Sequence, residues 1–407
     1  MSSPFVPGPA VRIAGAPTGP LAGLTFAAKD LFDVAGHRTG GGNPDWPRRH
    51  SVPTRHAWAV QRLLDAGATL IGKTVTDEVS LGILGENPFE GTPLNPAAPE
   101  HVPGGSSSGS ASAVAQGLCG TALGTDTGGS VRVPASFCGL YGIRPTHGRL
   151  DLTGMMAQAP SSDTTGWFAR DVETFARVSA VLLDEPITPA GLPTTLVVAN
   201  DAFGLADAET AAALRTMVRA LSELVGYVRE DLLAPPGLSV WSRTQRTLQS
   251  YESWLTFRDW LDRDNPRLQF NVARGLVAAS AIPESERQWA ALMRAEARAR
   301  LAWLVPPGAI LCLPTTPFPA PRKGLPLTTV LPFTTVPFVE PRSSTQTMSP
   351  SMKTRACNCE TNVSSSLTVQ PGERPMVSSP VIGNTVPAPG PLTTTSSRRW
   401  SFVVRRC

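Results

Sequence analysis

Short, nearly continuous apolar runs alternate along this chain with longer stretches whose apolar positions recur at helical spacing. Leu24 to Ala28 reads as a buried strand that ends at Lys29. Ala57 to Ala66 has helical spacing and stops at Gly67, a residue suited to closing a helix. Ala68 to Ile71 reads as the next strand. Ser110 to Leu118 is a run of small residues expected as a helix able to pack closely on a sheet. Thr121 to Thr127 is expected as a strand, Val131 to Cys138 as a helix, and Tyr141 to Arg144 as another short strand. Helices are expected over Val172 to Leu183, Ala206 to Leu224, Leu238 to Asp262 and Pro283 to Leu304, with strands at Thr195 to Asn200 and Ala309 to Pro314. Residues 1 to 20 are rich in Pro and Gly and read as an extended arm. Asp30 to Trp46, with four glycines and a proline, reads as a loop. From Lys323 onward Ser, Thr, Pro and Val dominate and no period survives.

The alternation of strands and helices predicts an α/β fold, and 407 residues suffice for one large domain or two smaller ones. Net charge is +4 with scattered arginines, so nothing marks a nucleic-acid surface. The start MSSPFVPGPA lacks the basic and apolar regions of a signal peptide, and no apolar run is long enough to span a membrane. Six cysteines without paired spacing suggest free thiols in a reducing compartment, and a cytoplasmic location is expected. Cys357 and Cys359 stand too close for the usual metal spacing, so neither metal nor cofactor is expected.

The stretch from Pro103 to Gly148 carries the chemistry. It holds two glycine-serine clusters, Gly104 to Ser110 and Gly128-Gly129-Ser130. Each runs directly into sequence that must pack, which a flexible linker would not do. Glycines there let amide N–H groups converge on one point, beside which a serine is a candidate nucleophile. With a helix starting near Ser130, the amides of Thr127, Gly128, Gly129 and Ser130 are expected to face an oxyanion at the helix N-terminus. Gly105-Ser106-Ser107-Ser108-Gly109 also fits a nucleophile elbow centred on Ser107, but no convincing strand precedes it and no histidine follows His147. Gly67 to Thr74 matches a phosphate-binding loop in letters only, since a helix precedes it and a strand lies inside it. Lys73 is therefore expected to be structural. Asp77-Glu78 is expected to be a solvated or capping pair. Trp241, Trp254, Trp260, Trp289 and Trp303 are expected mainly to pack helices rather than to line a pocket.

The whole of this stretch resembles the signature of the amidase signature family, serine hydrolases that cut amide C–N bonds. The resemblance runs from about residue 10 to 320. It implies a single large domain with a mixed, twisted β-sheet core covered by helices on both faces. It implies that Ser130 is the nucleophile, that Ser106, held on a cis peptide, bridges, and that Lys29 in Phe26-Ala27-Ala28-Lys29-Asp30 is the base. The chain has four lysines among 36 basic residues, so a lysine kept here hints that losing a proton matters. Asp126 and Arg132 match charged family positions and are expected to hold the loop.

Asp30 to Gly36, Gly42 to Trp46 and Gly166 to Asp171 look most like the indole-3-acetamide hydrolase group of plant-type amidases. That likeness implies an aryl-acetamide among small primary amides as substrate. A homodimer is the expected assembly, with no nucleic-acid or membrane partner. Residues 1–322 would form the amidase domain. Residues 323–407 depart from the family pattern and read as a disordered or non-native tail, such as a shifted reading frame produces. The alternative is a catalytically impaired binding or scaffold protein, because the family's C-terminal part is missing.

Overall fold

The computed structural model describes residues 3–186 and 193–325. The expectations for the sequence beyond Lys323 fall almost entirely outside these residues.

Two sheets organise the described chain. The larger contains β1 (Thr25–Lys29), β2 (Thr69–Thr74), β3 (Thr121–Thr125), β4 (Tyr141–Ile143) and β5 (Thr165–Ala169), in the order β2-β1-β3-β5-β4. β1 pairs in parallel with β2 and β3, whereas β5 runs antiparallel to β3 and β4, so the sheet is mixed. Helices α1 (Trp58–Asp65) and α4 (Val172–Leu183) cover one face. Their apolar residues pack with Phe26, Ala28, Leu70, Leu123 and Trp167. Helices α2 (Ser108–Ala115) and α3 (Arg132–Cys138) cover the other face, over Ala27, Ala122 and Phe168. Neighbouring strand residues thus enter opposite cores. A central strand buried on both faces reads as a continuous apolar run rather than an alternating one.

The smaller sheet is parallel, in the order β7-β6-β8, from β6 (Thr195–Ala199), β7 (Tyr227–Asp231) and β8 (Ala309–Cys312). Among the described residues no strand pairing joins the two sheets, and the mixed, helix-covered sheet agrees with the expected fold class. Around the smaller sheet run α5 (Asn200–Leu205), α6 (Ala208–Leu224), α7 (Leu238–Asp264), α8 (Phe270–Ser280) and α9 (Glu284–Leu304). No helix among the described residues is long and apolar enough to cross a membrane.

Most expected elements stand within a few residues of their places, and α4 has the expected bounds. Three differences have clear causes. β2 continues through Gly72, Lys73 and Thr74, because β1 on one side and the bridging residues Phe5 and Ile13 of the N-terminal arm support it. β5 has no alternating signature because Trp167 and Phe168 are both fully buried, on opposite faces. β7 and α8 went unread. β7 is a largely exposed edge strand with three charged residues in five, so it lacks an apolar pattern.

Candidate active site

β1 and β3 lie side by side in parallel, so their C-terminal ends deliver Lys29 and Thr125 to one spot. Lys29 is fully buried. Its Nζ lies 2.7 Å from Ser106 Oγ and 2.7 Å from Thr125 Oγ1. The peptide between Gly105 and Ser106 is cis. The neighbouring Ser107 N–H donates to the Ser130 carbonyl at 3.2 Å, which ties the first glycine-serine cluster to the second. Ser107 Oγ itself donates to the Thr125 carbonyl and accepts from the Thr125 N–H. That engagement with backbone, and the absence of a strand before it, remove Ser107 as an elbow nucleophile.

Burial dominates the proton affinity of Lys29 and lowers its pKa from 10.5 to about 7. Asp77, Asp126 and Asp163 oppose the shift in that order but do not cancel it. Asp77 and Glu78 are not a solvated pair, because both are almost completely buried. The short turn that carries them places Val79 and Ser80 at positive φ and folds both carboxylates inward. No periodic pattern announces such a turn. The Asp77 N–H donates to the Ser106 carbonyl at 3.1 Å, and its Oδ2 accepts from the Gly85 N–H at 3.2 Å. A side chain on Gly105 would start 2.2 Å from that Oδ2, so glycine is required for the close approach. Burial raises the Asp77 pKa to about 6, against the Gly85 hydrogen bond and the charge of Lys29. Glu78 accepts from Asn43 Nδ2 at 2.6 Å and from the Gln269 N–H at 2.9 Å.

The loop carrying Ser130 is wrapped around Asp126. Asp126 accepts from the N–H groups of Gly129, Val131 and Arg132, and from the Arg132 guanidinium through Nε and Nη2. Arg144 Nη1 donates to the Asp126 carbonyl, and Asp163 accepts from Thr127 Oγ1 at 2.6 Å. Burial alone would raise the Asp126 pKa, but Arg132, Arg144 and the backbone donors overcome it and hold it well below the usual carboxylate range. The oxyanion expectation therefore needs amending. The Gly129 amide and the first turn of α3 are already spoken for by Asp126. Among the described residues, the N–H groups of Thr127, Gly128 and Ser130 donate to no protein acceptor. Ser130 is 5% exposed, and its loop neighbours Thr127 and Gly128 line a cavity of about 280 Å³ together with Trp241 and Gln245 among others.

The other candidates fall away from this centre. Lys73 Nζ pairs with Asp30 at 2.6 Å, both buried, and donates to the Arg38 carbonyl, so it is structural. The five tryptophans do not form one pocket. Trp260 is core, edge-on to Trp46 at 5.0 Å, and Trp303 is 60% exposed beside Arg229 and Arg300. Trp241 alone of the five lines the cavity. Among the described residues no group of His, Cys, Asp or Glu is arranged to hold a metal ion.

The fold is thus a mixed α/β one that buries a lysine against one serine, with a second serine on an adjacent glycine turn. The amidase family profile matches residues 10–191. Amidase 1 of Oryza sativa subsp. japonica is 39% identical over 75% of this chain and 77% of its own length. The protein named Translocon at the outer membrane of chloroplasts 64, from Pisum sativum, is 35% identical over 75% of this chain and 56% of its own. A crystal structure of an amidase superposes with a TM-score of 0.68 at 34% identity, covering 75% of this chain and 70% of that one. The chain belongs to the amidase family and is an amidase-type hydrolase.

Proposed function

We propose that the chain hydrolyses the C–N bond of a small primary amide through Lys29, Ser106 and Ser130, by way of an acyl-enzyme. The observation that carries this reading is the 2.7 Å contact between the buried Lys29 Nζ and Ser106 Oγ. With its pKa lowered to about 7, Lys29 is substantially neutral near that pH. A neutral amine can donate to Thr125 Oγ1 and accept the Ser106 hydroxyl proton. Ser106 in turn takes the proton of Ser130, whose Oγ attacks the amide carbonyl. The free N–H groups of Thr127, Gly128 and Ser130 are the candidate donors to the oxyanion. Collapse breaks the C–N bond, and the departing ammonia takes its proton from Ser106. Water then attacks the acyl-enzyme, with the same relay as general base, and releases the carboxylate and Ser130. Aryl-acetamides are the first substrates to try.

Ammonia release from a panel of primary amides tests the activity. Ser130→Ala should lower kcat by roughly 10,000-fold and abolish labelling by a fluorophosphonate probe. A probe adduct found by mass spectrometry on Ser106 or Ser107 instead would sink the assignment.

A further inference from the structure

The cavity beside the Ser130 loop holds more positive charge than its neighbours balance. Arg132, Arg144, Arg294 and Arg298 all line it. Arg132 and Arg144 share one carboxylate, Asp126, at 2.8 and 3.5 Å. Arg294 and Arg298 stand one turn apart on α9, where like charges repel. Among the described residues neither forms an ion pair. Arg294 Nη1 donates instead to Ser161 Oγ at 2.6 Å, and Ser161 is itself bonded to Glu252. Burial, and then the charge of Arg298, push the Arg294 pKa down against the opposing charge of Glu252, which leaves Arg298 as the guanidinium with no carboxylate partner among the described residues. Asp163 lies behind Thr127, with both oxygens committed to Thr127 and to the Gln158 and Ala159 amides. Arg298 is solvent-exposed and has no hydrogen-bond partner among the described residues.

Such an excess in a concave, partly water-excluded site attracts an anion and gives it charge-assisted, fork-shaped donors. Thr127 and Gly128, next in sequence to the serine proposed to attack, line the same cavity. Trp241 and Ala297 add apolar surface to its wall. A neutral aryl-acetamide would leave Arg298 without a counter-charge.

We propose that the acyl part of the substrate carries a carboxylate, held by Arg298 and Arg294, while its amide lies at Thr127 to Ser130. The substrate class is then ω-carboxy primary amides. This rests on the amidase reading of the same site, and the test separates the two.

Binding is measured by calorimetry on the full chain carrying Ser130→Ala, with succinamate and its neutral isostere succinamide. Succinamate should bind at least about tenfold more tightly, and the preference should shrink as salt is raised. Adding Arg298→Met, or Arg294→Gln, should reduce affinity for succinamate about tenfold more than for succinamide. Equal binding of the two amides, binding of neither, or a preference that survives both arginine variants overturns the proposal. Ammonia release by the unsubstituted chain is read separately. Arginine-dependent binding of succinamate without release from any amide defeats the amidase reading and leaves the anion site standing. Release from phenylacetamide at equal or better kcat/KM than from succinamate defeats the anion site alone.

Discussion

Lys29 is the residue on which pH acts most directly. Its folded pKa, lowered to about 7 chiefly by burial, means that activity should rise with pH through about 7 and level off above it. Lys29→Arg should not restore activity to Lys29→Ala, because a guanidinium stays protonated. Asp77 sets where that rise falls. Its carboxylate is the largest of the three charges holding the proton on Lys29, so Asp77→Asn should move the acidic limb of kcat to lower pH. A purely structural role for Asp77 would lower kcat at every pH and leave the limb in place. The same shift links to stability. Between about 7 and 10.5 the unfolded chain binds the lysine proton and the folded chain does not, so this group makes stability rise with pH across that window. Comparing urea unfolding of the parent and Lys29→Met across that range isolates the slope.

At the scale of elements, one carboxylate organises the turn from β3 into α3. Asp126 is fully buried and is met by three backbone N–H groups and two guanidiniums. Asp126→Ala leaves those donors and charges unmatched. The cost should be about 3 kcal/mol, at the low end for a broken buried pair, since both guanidiniums keep some contact with water. Because the loop carries Ser130, kcat should also fall by about 100-fold or more, as expected when a positioned nucleophile is released. Thermal unfolding together with steady-state kinetics reads both. Unchanged stability with unchanged kcat would mean that the loop is held by something else. The small residues of α2 act at this scale too. Gly109 lies where a Cβ would meet the Pro4 carbonyl oxygen at 2.4 Å, so the helix sits tight between the sheet and the N-terminal arm.

Across the whole molecule, α7 links separate regions of the described chain. Its N-terminal half supplies Trp241 and Gln245 to the cavity, while Phe257 and Trp260 near its other end pack on Trp46, Val79 and α8. Val79 lies in the same turn as Asp77, so the α7 cluster backs the turn that faces Lys29. Trp260→Ala should cost about 3–5 kcal/mol, from the buried area lost and the cavity left behind. A loss below about 1 kcal/mol by denaturant unfolding would show that the tryptophan is not core.

The residues now gathered around Lys29 were unequally legible. The glycine-serine clusters stood out as local features of composition, whereas the roles of Lys29, Ser106 and Ser130 came from the family resemblance. β1 and α4 were readable because burial of a strand, or of one helix face, leaves a periodic trace. Asp77 was read as one of a solvated or capping pair, since a dipeptide carries no mark of the positive-φ turn that buries it. The Gly129 amide was read as an oxyanion donor, since nothing local to the loop tells that Asp126 accepts its N–H. Thr125 was read as strand, which it is, without its contact to Lys29. The sequence by itself thus determined the family and roughly which elements form. Only the tertiary structure decided the proton affinities and charge environment of the site residues, because these depend on burial and on neighbours from distant segments. Arg294 and Arg298 reach the Ser130 loop solely through the packing of α7 and α9, and their unbalanced charge exists only once that cavity is formed.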